Sequence, residues 1–175
     1  MPVFVAFLRG INVGGHRKVP MAELRGLCAA QLGHKGVRSY IASGNLVFVA
    51  EGTAEKIARD LTDLIKQHFG FDVPVLVFDR AALEAVLASC PFPLDSGKAV
   101  HGFLCFDPPQ LDMARVDNLR AANEELVVTG QTIWLLAPDG IGRSKLAEKL
   151  NPKVEVTARN LNTLLKMVEL ARATD

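Results

Sequence analysis

The pattern of apolar and polar positions along the chain predicts short strands separated by amphipathic helices. Residues 3–8 are apolar at every position, which is typical of a strand buried on both faces of a sheet. Apolar residues at helical spacing predict helices that begin after Pro20, Thr53 and Asp79. The other predicted strands cover residues 37–42, 46–50, 73–78, 101–106, 126–129, 132–136 and 154–157, and the other predicted helices cover residues 113–122, residues 144–150 and the stretch that starts with Arg159 and Asn160.

The stretch PFPLDSG at residues 91–97 is the clearest linker in the chain. We therefore expect a first half over residues 1–90, a linker over residues 91–100 and a second half over residues 101–175. Each half follows the order β-α-β-β-α-β and adds a trailing helix, which is the ferredoxin-like pattern with one extra element.

The two halves also resemble each other in residues. Two pairs of segments align without gaps, residues 40–50 on 126–136 and residues 75–80 on 154–159. The first alignment places Phe48 on Trp134. The pattern therefore predicts an α+β fold built from internally duplicated ferredoxin-like βαββαβ halves.

This topology predicts where the polar loops lie. The first and second strands of such a half point the same way, so residues 9–18 and the turn Ser43-Gly44-Asn45 should share one edge of the first sheet. In the second half, residues 140–145 and Arg159-Asn160 follow the third and fourth strands and should lie on the opposite edge of their own sheet.

Composition narrows the function classes only slightly. The formal net charge is +1 with 22% charged residues, so no global field draws the chain to nucleic acid or to a membrane. The three cysteines form no CxxC pair and the four histidines show no metal-ligand spacing, so we expect reduced core thiols in a cytoplasmic protein and no metal or cofactor. The N-terminal apolar run is too short for a signal peptide, and no run approaches the roughly 20 residues of a membrane span. Aromatic residues make up 6% of the chain, too few for two base-stacking sheet platforms.

Four segments in order resemble one known family. The segments LRGINVGGHRKVPMAELR, YIASGNLVF, GRSKL and TARNLNTLLKMVELA are similar to those of the bacterial DUF1697 family, a domain of unknown function, over nearly the whole chain. The resemblance implies an α+β fold with duplicated βαββαβ-like halves, and it implies no established activity. It also implies a tryptophan after Arg-Asn; Leu161 stands there, which argues against aromatic stacking at that position.

The glycine-rich segment at residues 10–15 has the glycine spacing of a P-loop but not its chemistry. His16 and Arg17 occupy the positions of the lysine and the magnesium-binding hydroxyl, and the segment is not GxGxxG. Two interpretations stay open: a wide loop whose glycines permit positive φ, or a backbone nest for an anion with Arg9 and Lys18 at its rim.

The other motifs also have a structural and a functional interpretation. Ser43-Gly44-Asn45 is either a tight turn or a source of hydroxyl and amide hydrogen bonds to a ligand. Ser144 is a good helix N-cap, and the amides behind it with Arg143 and Lys145 would also suit an anion. Arg159 would either pair with a carboxylate or contact a ligand. His16, Ser43 and Ser144 are the plausible bases or nucleophiles, so catalysis stays open.

Together these motifs predict an anionic ligand in a cationic cleft between the halves, if the two edges converge. The ligand would be a phosphate-bearing small molecule, a nucleotide or nucleic-acid phosphate. A small hydrolase or transferase acting on an anionic substrate, or a scaffold without catalysis, is the alternative. The candidate ligand-binding residues are Arg9, Gly10, Asn12, Gly14, Gly15, Lys18, Ser43, Gly44, Asn45, Arg143, Ser144, Lys145, Arg159 and Asn160.

Overall fold

The computed structural model describes residues 1–174 and shows an α+β fold with two four-stranded antiparallel sheets. The first sheet has the strand order β2-β3-β1-β4 and the second has the order β6-β7-β5-β8. The strands are β1 Val3–Leu8, β2 Lys35–Ser39, β3 Asn45–Val49, β4 Val75–Asp79, β5 Val100–Cys105, β6 Glu125–Thr129, β7 Thr132–Leu136 and β8 Val156–Asn160.

Helices precede and follow these strands in the predicted order. The helices are α1 Met21–Leu32, α2 Ala54–Phe69, α3 Arg80–Ala88, α4 Met113–Leu119, α5 Lys145–Lys149 and α6 Leu161–Arg172, with short 3-10 segments at Leu94–Ala99 and Ile141–Arg143. Local chemistry sets their ends as predicted: Gly33 ends α1 with a φ of 68°, and the Thr53 hydroxyl accepts the Lys56 amide at the start of α2.

The chain divides into two compact units. We call Met1–Ala85 with the described residues from Lys166 onward the first unit, and Val86–Leu165 the second unit. Each sheet lies in one unit and packs one face against helices of that unit. In the first unit, α1 and α2 cover Phe4, Ala6 and Leu8; in the second, α4 and α5 cover the face that carries Phe103 and Cys105.

The central strands are buried on both faces, as their unbroken apolar runs predict. In β1 the alternate residues Val5 and Phe7 have no exposed surface, like Ala6 and Leu8 on the other face. All five residues of β3 are buried, and so are the first four of β7. Neither sheet therefore offers an open aromatic face of the kind that stacks RNA bases.

Several predicted element bounds are wrong, among them the end of the second strand. Strand β2 ends at Ser39 rather than at residue 42, so the first hairpin turns through a four-residue loop closed by the Tyr40 amide and the Asn45 carbonyl. The second hairpin needs only Gly130 and Gln131 between paired Thr129 and Thr132.

The ends of β8 and α6 also differ from the prediction. Arg159 and Asn160 are the last residues of β8, whereas the sequence placed them at the start of the final helix. Asn160 nevertheless caps α6, because its side-chain oxygen accepts the Thr163 amide at 2.9 Å.

The predicted alignment of residues 40–50 on residues 126–136 differs by one residue from the equivalence that strand pairing gives. The ladder Val3↔Val49 to Phe7↔Asn45 corresponds to Val100↔Leu136 to Leu104↔Thr132. Leu135 therefore takes the place of Phe48, and Trp134 takes the place of Val47. A slip of one residue moves a side chain to the other face of a sheet, and Trp134 indeed lies on the face opposite to Leu135.

The fourth strands show a shift of two residues. Val75 and Asp79 pair with Leu8 and Phe4 of β1, whereas in the second unit Val156 and Asn160 pair with Cys105 and His101. Residues 75–79 therefore correspond to residues 156–160, not to residues 154–158.

Candidate functional site

The glycine-rich segment lies beside the first hairpin turn, as the topology predicts. The Leu8 amide donates to the Gly44 carbonyl at 2.9 Å, and the Arg9 amide donates to the Pro74 carbonyl at 3.0 Å. The nine candidate residues of the first half thus share one edge of the first sheet.

The segment itself forms a small hairpin. The Asn12 amide donates to the Arg17 carbonyl, and the His16 amide donates to the Val13 carbonyl, both at 3.0 Å. Gly14 and Gly15 turn the chain with φ values of 58° and 77°, the positive pair that a two-residue hairpin turn of type I′ requires. The glycines therefore serve this turn, and the Asn12 and His16 amides are engaged within the loop, which removes two donors from the proposed anion nest.

Two asparagines hold this edge together. Asn12 Nδ2 donates to the Val19 carbonyl at 3.0 Å and to the Ala42 carbonyl at 2.7 Å, and Asn12 Oδ1 accepts the Val19 amide at 2.8 Å. Asn45 is fully buried and its Nδ2 donates to the Tyr40 carbonyl and to Ser43 Oγ. Both side chains were predicted as ligand contacts: Asn12 ties the loop to the turn, and Asn45 holds the turn itself.

Gly44 is required at its position for steric reasons. Its φ is 95°, and a Cβ there would lie 2.7 Å from Leu8 Cβ and 2.9 Å from Ile11 Cδ1. The turn motif is thus explained first by backbone packing.

The end of the glycine hairpin exposes the cationic side chains of Arg17 and Lys18 to solvent. His16, Arg17 and Lys18 are exposed, and the Arg17 guanidinium donates to the Asp72 carbonyl at 2.7 Å. Two apolar side chains are exposed at the same edge, Val13 at 65% and Ile41 at 52%. Ile41 also has a φ of 51°, which a β-branched residue rarely adopts.

The candidate residues of the second half also meet at one sheet edge. Leu136 ends β7 opposite Val100, and Asn160 ends β8 opposite His101. Residues 140–145 therefore follow the end of β7 on the side of the second sheet where Asn160 ends β8.

Arg159 does not behave as a surface ligand contact. It is only 7% exposed, and its Nη1 donates to Thr157 Oγ1 at 2.6 Å and to the Ala158 carbonyl at 2.9 Å. Burial lowers the pKa of the Arg159 guanidinium to about 10, which leaves it charged at neutral pH. These contacts give Arg159 a structural role inside the second unit.

Ser144 is likewise a structural residue. It is 5% exposed, and its hydroxyl accepts the Ala147 amide at 3.0 Å as the N-cap of α5. Its neighbours Arg143 and Lys145 are exposed. The hydroxyl oxygens of both candidate serines therefore accept hydrogen bonds within the fold, Ser43 from Asn45 and Ser144 from Ala147.

A pocket of about 500 Å³ opens beside Arg143 and Lys145. Gly140 and the end of α4 complete it, and Arg120 adds a third cation to its wall. Sequence analysis missed Arg120 because an arginine at a predicted helix end is normally a solvated residue. The further polar side chains in the wall are Asn118, Asn123, Glu124 and Asp139.

Over residues 1–174, no group of three or more His, Cys, Asp or Glu side chains is placed to hold a metal ion. Nor does this described part contain a helix of the length and apolarity needed to cross a membrane. Cys28 and Cys105 are buried free thiols, and burial raises the pKa of Cys28 to about 12 and that of Cys105 to about 11, so both are unreactive core residues.

The chain is similar to known proteins in fold and in sequence. The structure of a conserved bacterial protein, SP0830 from Streptococcus pneumoniae, is similar with a TM-score of 0.75 and 27% sequence identity, over 97% of this chain and 98% of that one. No curated protein matches the sequence. The profile of the family described as "Protein of unknown function (DUF1697)" matches residues 1–134, which include the glycine hairpin and the Ser43–Asn45 turn but not residues 140–145. Because this match covers well over half of the chain, the protein belongs to the DUF1697 family.

Proposed function

We propose that this protein binds a phosphate-bearing small molecule, such as a nucleotide, in the pocket that Arg120, Arg143 and Lys145 line in the second unit. The observation that carries the proposal is the concavity itself. Three cations surround a pocket of about 500 Å³, a size typical of small-molecule sites. Gly140–Lys145 was one of the segments that the sequence indicated for an anion.

The charges of the pocket favour an anion. Glu124 is only 5% exposed, and its Oε1 accepts the Ala121 amide at 2.7 Å. Asp139 accepts a hydrogen bond from Asn123 Nδ2 at 3.1 Å. Both acidic groups of the wall are thus engaged in the fold.

The three cations of the wall differ in their contacts within the fold. Arg120 Nη1 donates to the Glu124 carbonyl at 2.7 Å and its Nε lies 3.8 Å from Asp117 Oδ1, so its guanidinium is held at the wall. Arg143 and Lys145 are exposed, and within the described residues neither takes part in an ion pair. Two charged heads are therefore available to a phosphate, and charge-assisted hydrogen bonds to it are the strong kind.

Isothermal titration calorimetry with ATP and with pyrophosphate tests the proposal, and adenosine serves as the uncharged probe. We expect ATP binding to weaken about tenfold or more in the double variant Arg143→Gln, Lys145→Gln, because each charge-assisted hydrogen bond contributes about 1.5–3 kcal/mol. The matched control is Lys98→Gln, which removes an exposed lysine of the same unit outside the pocket.

The proposal is wrong if neither anion binds the wild-type chain, or if the double variant binds ATP as tightly as the control does. Nucleic acid is the competing ligand, and an oligonucleotide that binds more tightly than ATP, with a steep fall of affinity with salt, would replace the nucleotide. In that case Arg17→Gln, Lys18→Gln in the exposed hairpin of the first unit would be the damaging variant.

We also infer that the two sheets descend from one duplicated ferredoxin-like unit. Their equal strand orders support this, and so do their equivalent caps. Asp79 Oδ1 accepts the Ala82 amide at 2.7 Å at the start of α3, as Asn160 does for Thr163 at the start of α6.

A further inference from the structure

A second, smaller cavity lies between α4 and α5 in the second unit. Its volume is about 180 Å³. Its floor is apolar and is made by Leu111, Val116, Leu119, Leu146 and Leu150. Val116 and Leu146 are buried and belong to the core that covers the second sheet, so the cavity reaches down to packed side chains.

The cavity is large enough for one compact apolar group. A dry cavity of about 150 Å³ lined by aliphatic side chains accommodates a benzene ring in an engineered protein. A group of about six carbons therefore matches the space, whereas the larger neighbouring pocket suits a nucleotide.

The rim of the same cavity is cationic. Arg115, Lys149 and Lys153 surround the opening, and all three side chains are exposed. The single acidic residue of the wall is Asp112, and its Oδ1 already accepts the Ala114 and Arg115 amides as the N-cap of α4. Three cations and one carboxylate leave a net positive charge at the opening, which favours an anion.

Backbone contacts fix Arg115 and the segment that carries the two lysines. Arg115 Nη2 donates to the Lys149 carbonyl at 2.9 Å and so ties α4 to the end of α5. Lys153 has a φ of 61°, and its amide donates to Asn151 Oδ1 at 3.2 Å, which fixes the tight turn on which it stands. The opening is therefore shaped by backbone contacts and not only by mobile side chains.

From this arrangement we infer a binding site for a small amphipathic anion, with an apolar group of about six carbons in the cavity and a single carboxylate or phosphonate-type head at the Arg115, Lys149 and Lys153 rim. The site is separate from the proposed nucleotide pocket, since Leu119 is the wall residue that the two share.

A ¹H–¹⁵N NMR titration tests the site with three probes of one shape: phenylacetate, benzylphosphonate and the uncharged phenylacetamide. We expect phenylacetate to shift the amide resonances of residues 111–119 and 145–153. It should bind about tenfold tighter than phenylacetamide, because the uncharged amide forms no charge-assisted hydrogen bonds with the cationic rim. Tighter binding of either anion supports the site and identifies its head group.

Variants separate the rim from the cavity. Lys149→Gln with Lys153→Gln should weaken phenylacetate about fivefold or more and leave phenylacetamide unchanged, since the apolar contacts remain. Lys98→Gln is the matched control and should change neither. Arg143→Gln, Lys145→Gln should also leave phenylacetate binding intact, which distinguishes this site from the nucleotide pocket.

The inference fails if phenylacetate up to about 20 mM, a concentration that reveals even very weak affinity, shifts none of these amides. It also fails if phenylacetamide binds as tightly as the anions, or if the double lysine variant, with an unchanged thermal midpoint, binds phenylacetate normally.

Discussion

The two units use one strand order but cover their sheets very differently. In the first unit the covering helices α1 and α2 have 12 and 16 residues, and 17 buried residues form the core beneath them. In the second unit α4 and α5 have 7 and 5 residues, and 7 buried residues form the corresponding core. Short helices leave part of the sheet face to loops, and both pockets proposed as ligand sites lie beside α4 or α5.

This difference suggests why the two pockets proposed as ligand sites lie under the shorter helices, although both sheets have the same strand order. The first unit has the glycine hairpin and the most suggestive motif, yet its amides and asparagines are used to hold the edge of the sheet. The second unit has the plainer sequence, and both pockets proposed as ligand sites lie in it.

The largest expected effect concerns the two hairpin turns, each of which contains a glycine with positive φ. Gly44→Ala should destabilise the chain by about 3–5 kcal/mol, because its Cβ would clash with Leu8 and Ile11 in addition to the cost of a positive φ. Gly130→Ala should lose only about 1 kcal/mol, since no atom lies within 4 Å of its Cβ and only the φ of 59° opposes it.

Urea unfolding followed by circular dichroism measures both variants. Equal losses in the two hairpins would show that the first turn has no special packing, and would remove the steric argument for its glycine.

The next effect concerns equivalent residue pairs in the two sheets. Val5 pairs with Val47 in the first sheet, and Gly102 pairs with Trp134 at the equivalent position of the second. The first pair consists of two medium-sized side chains, whereas the second combines a residue without a side chain and a large indole. A Cβ on Gly102 would lie 3.1 Å from Trp134 and 3.0 Å from Leu164. Gly102→Val should therefore cost about 1–3 kcal/mol from overpacking, and Trp134→Val about 3 kcal/mol from lost contacts.

The double variant Gly102→Val, Trp134→Val has the valine pair of the first sheet. Its free energy of unfolding should fall by at least about 1 kcal/mol less than the sum of the two single losses, because the valines fill part of the space of the tryptophan. Circular dichroism is the measurement, since Trp134 is the single tryptophan of the chain. Additive losses would mean that the two sheets do not pack by a common rule.

Local sequence signals predicted most of the fold. Gly33, Thr53, Asp79 and Ser144 end or cap helices as predicted, because caps depend on a few neighbouring residues. The apolar runs also identified strands buried on both faces, and the βαββαβ order gave the shared edge of the glycine segment and the Ser43 turn.

The candidate site could be predicted only in part, for physical reasons. The alignment of Phe48 on Trp134 missed by one residue because the first hairpin loop is longer, and residue identity does not reveal loop length. Arg159 looked like a surface cation, but strand position buries it. Helix α4 ends at Leu119 rather than near residue 122, and this early end exposes Arg120 at the pocket.

The smallest expected effect is a pH dependence that compares one histidine in each unit. Burial lowers the pKa of His34, with a weaker opposing effect of Asp60, and burial also lowers the pKa of His101. His34 is 6% exposed and its ring stacks on Phe48 at 4.3 Å, whereas His101 is half-buried. A lowered folded pKa means that the unfolded chain binds more protons. Stability is therefore complete above the unfolded value of about 6.5 and is lost as the pH falls through the folded pKa.

The urea midpoint of the wild-type chain should accordingly fall between about pH 7.5 and about pH 5.5, the range in which histidine titrates. His34→Leu and His101→Phe should each flatten this fall, because each removes an imidazole whose burial opposes protonation. Phenylalanine is the matched replacement at His101, since Phe4 occupies the equivalent position of the first sheet. A wild-type chain with the same midpoint at both pH values would contradict the burial of both rings. Flattening by only one of the two replacements would assign the pH sensitivity to the unit that contains that histidine.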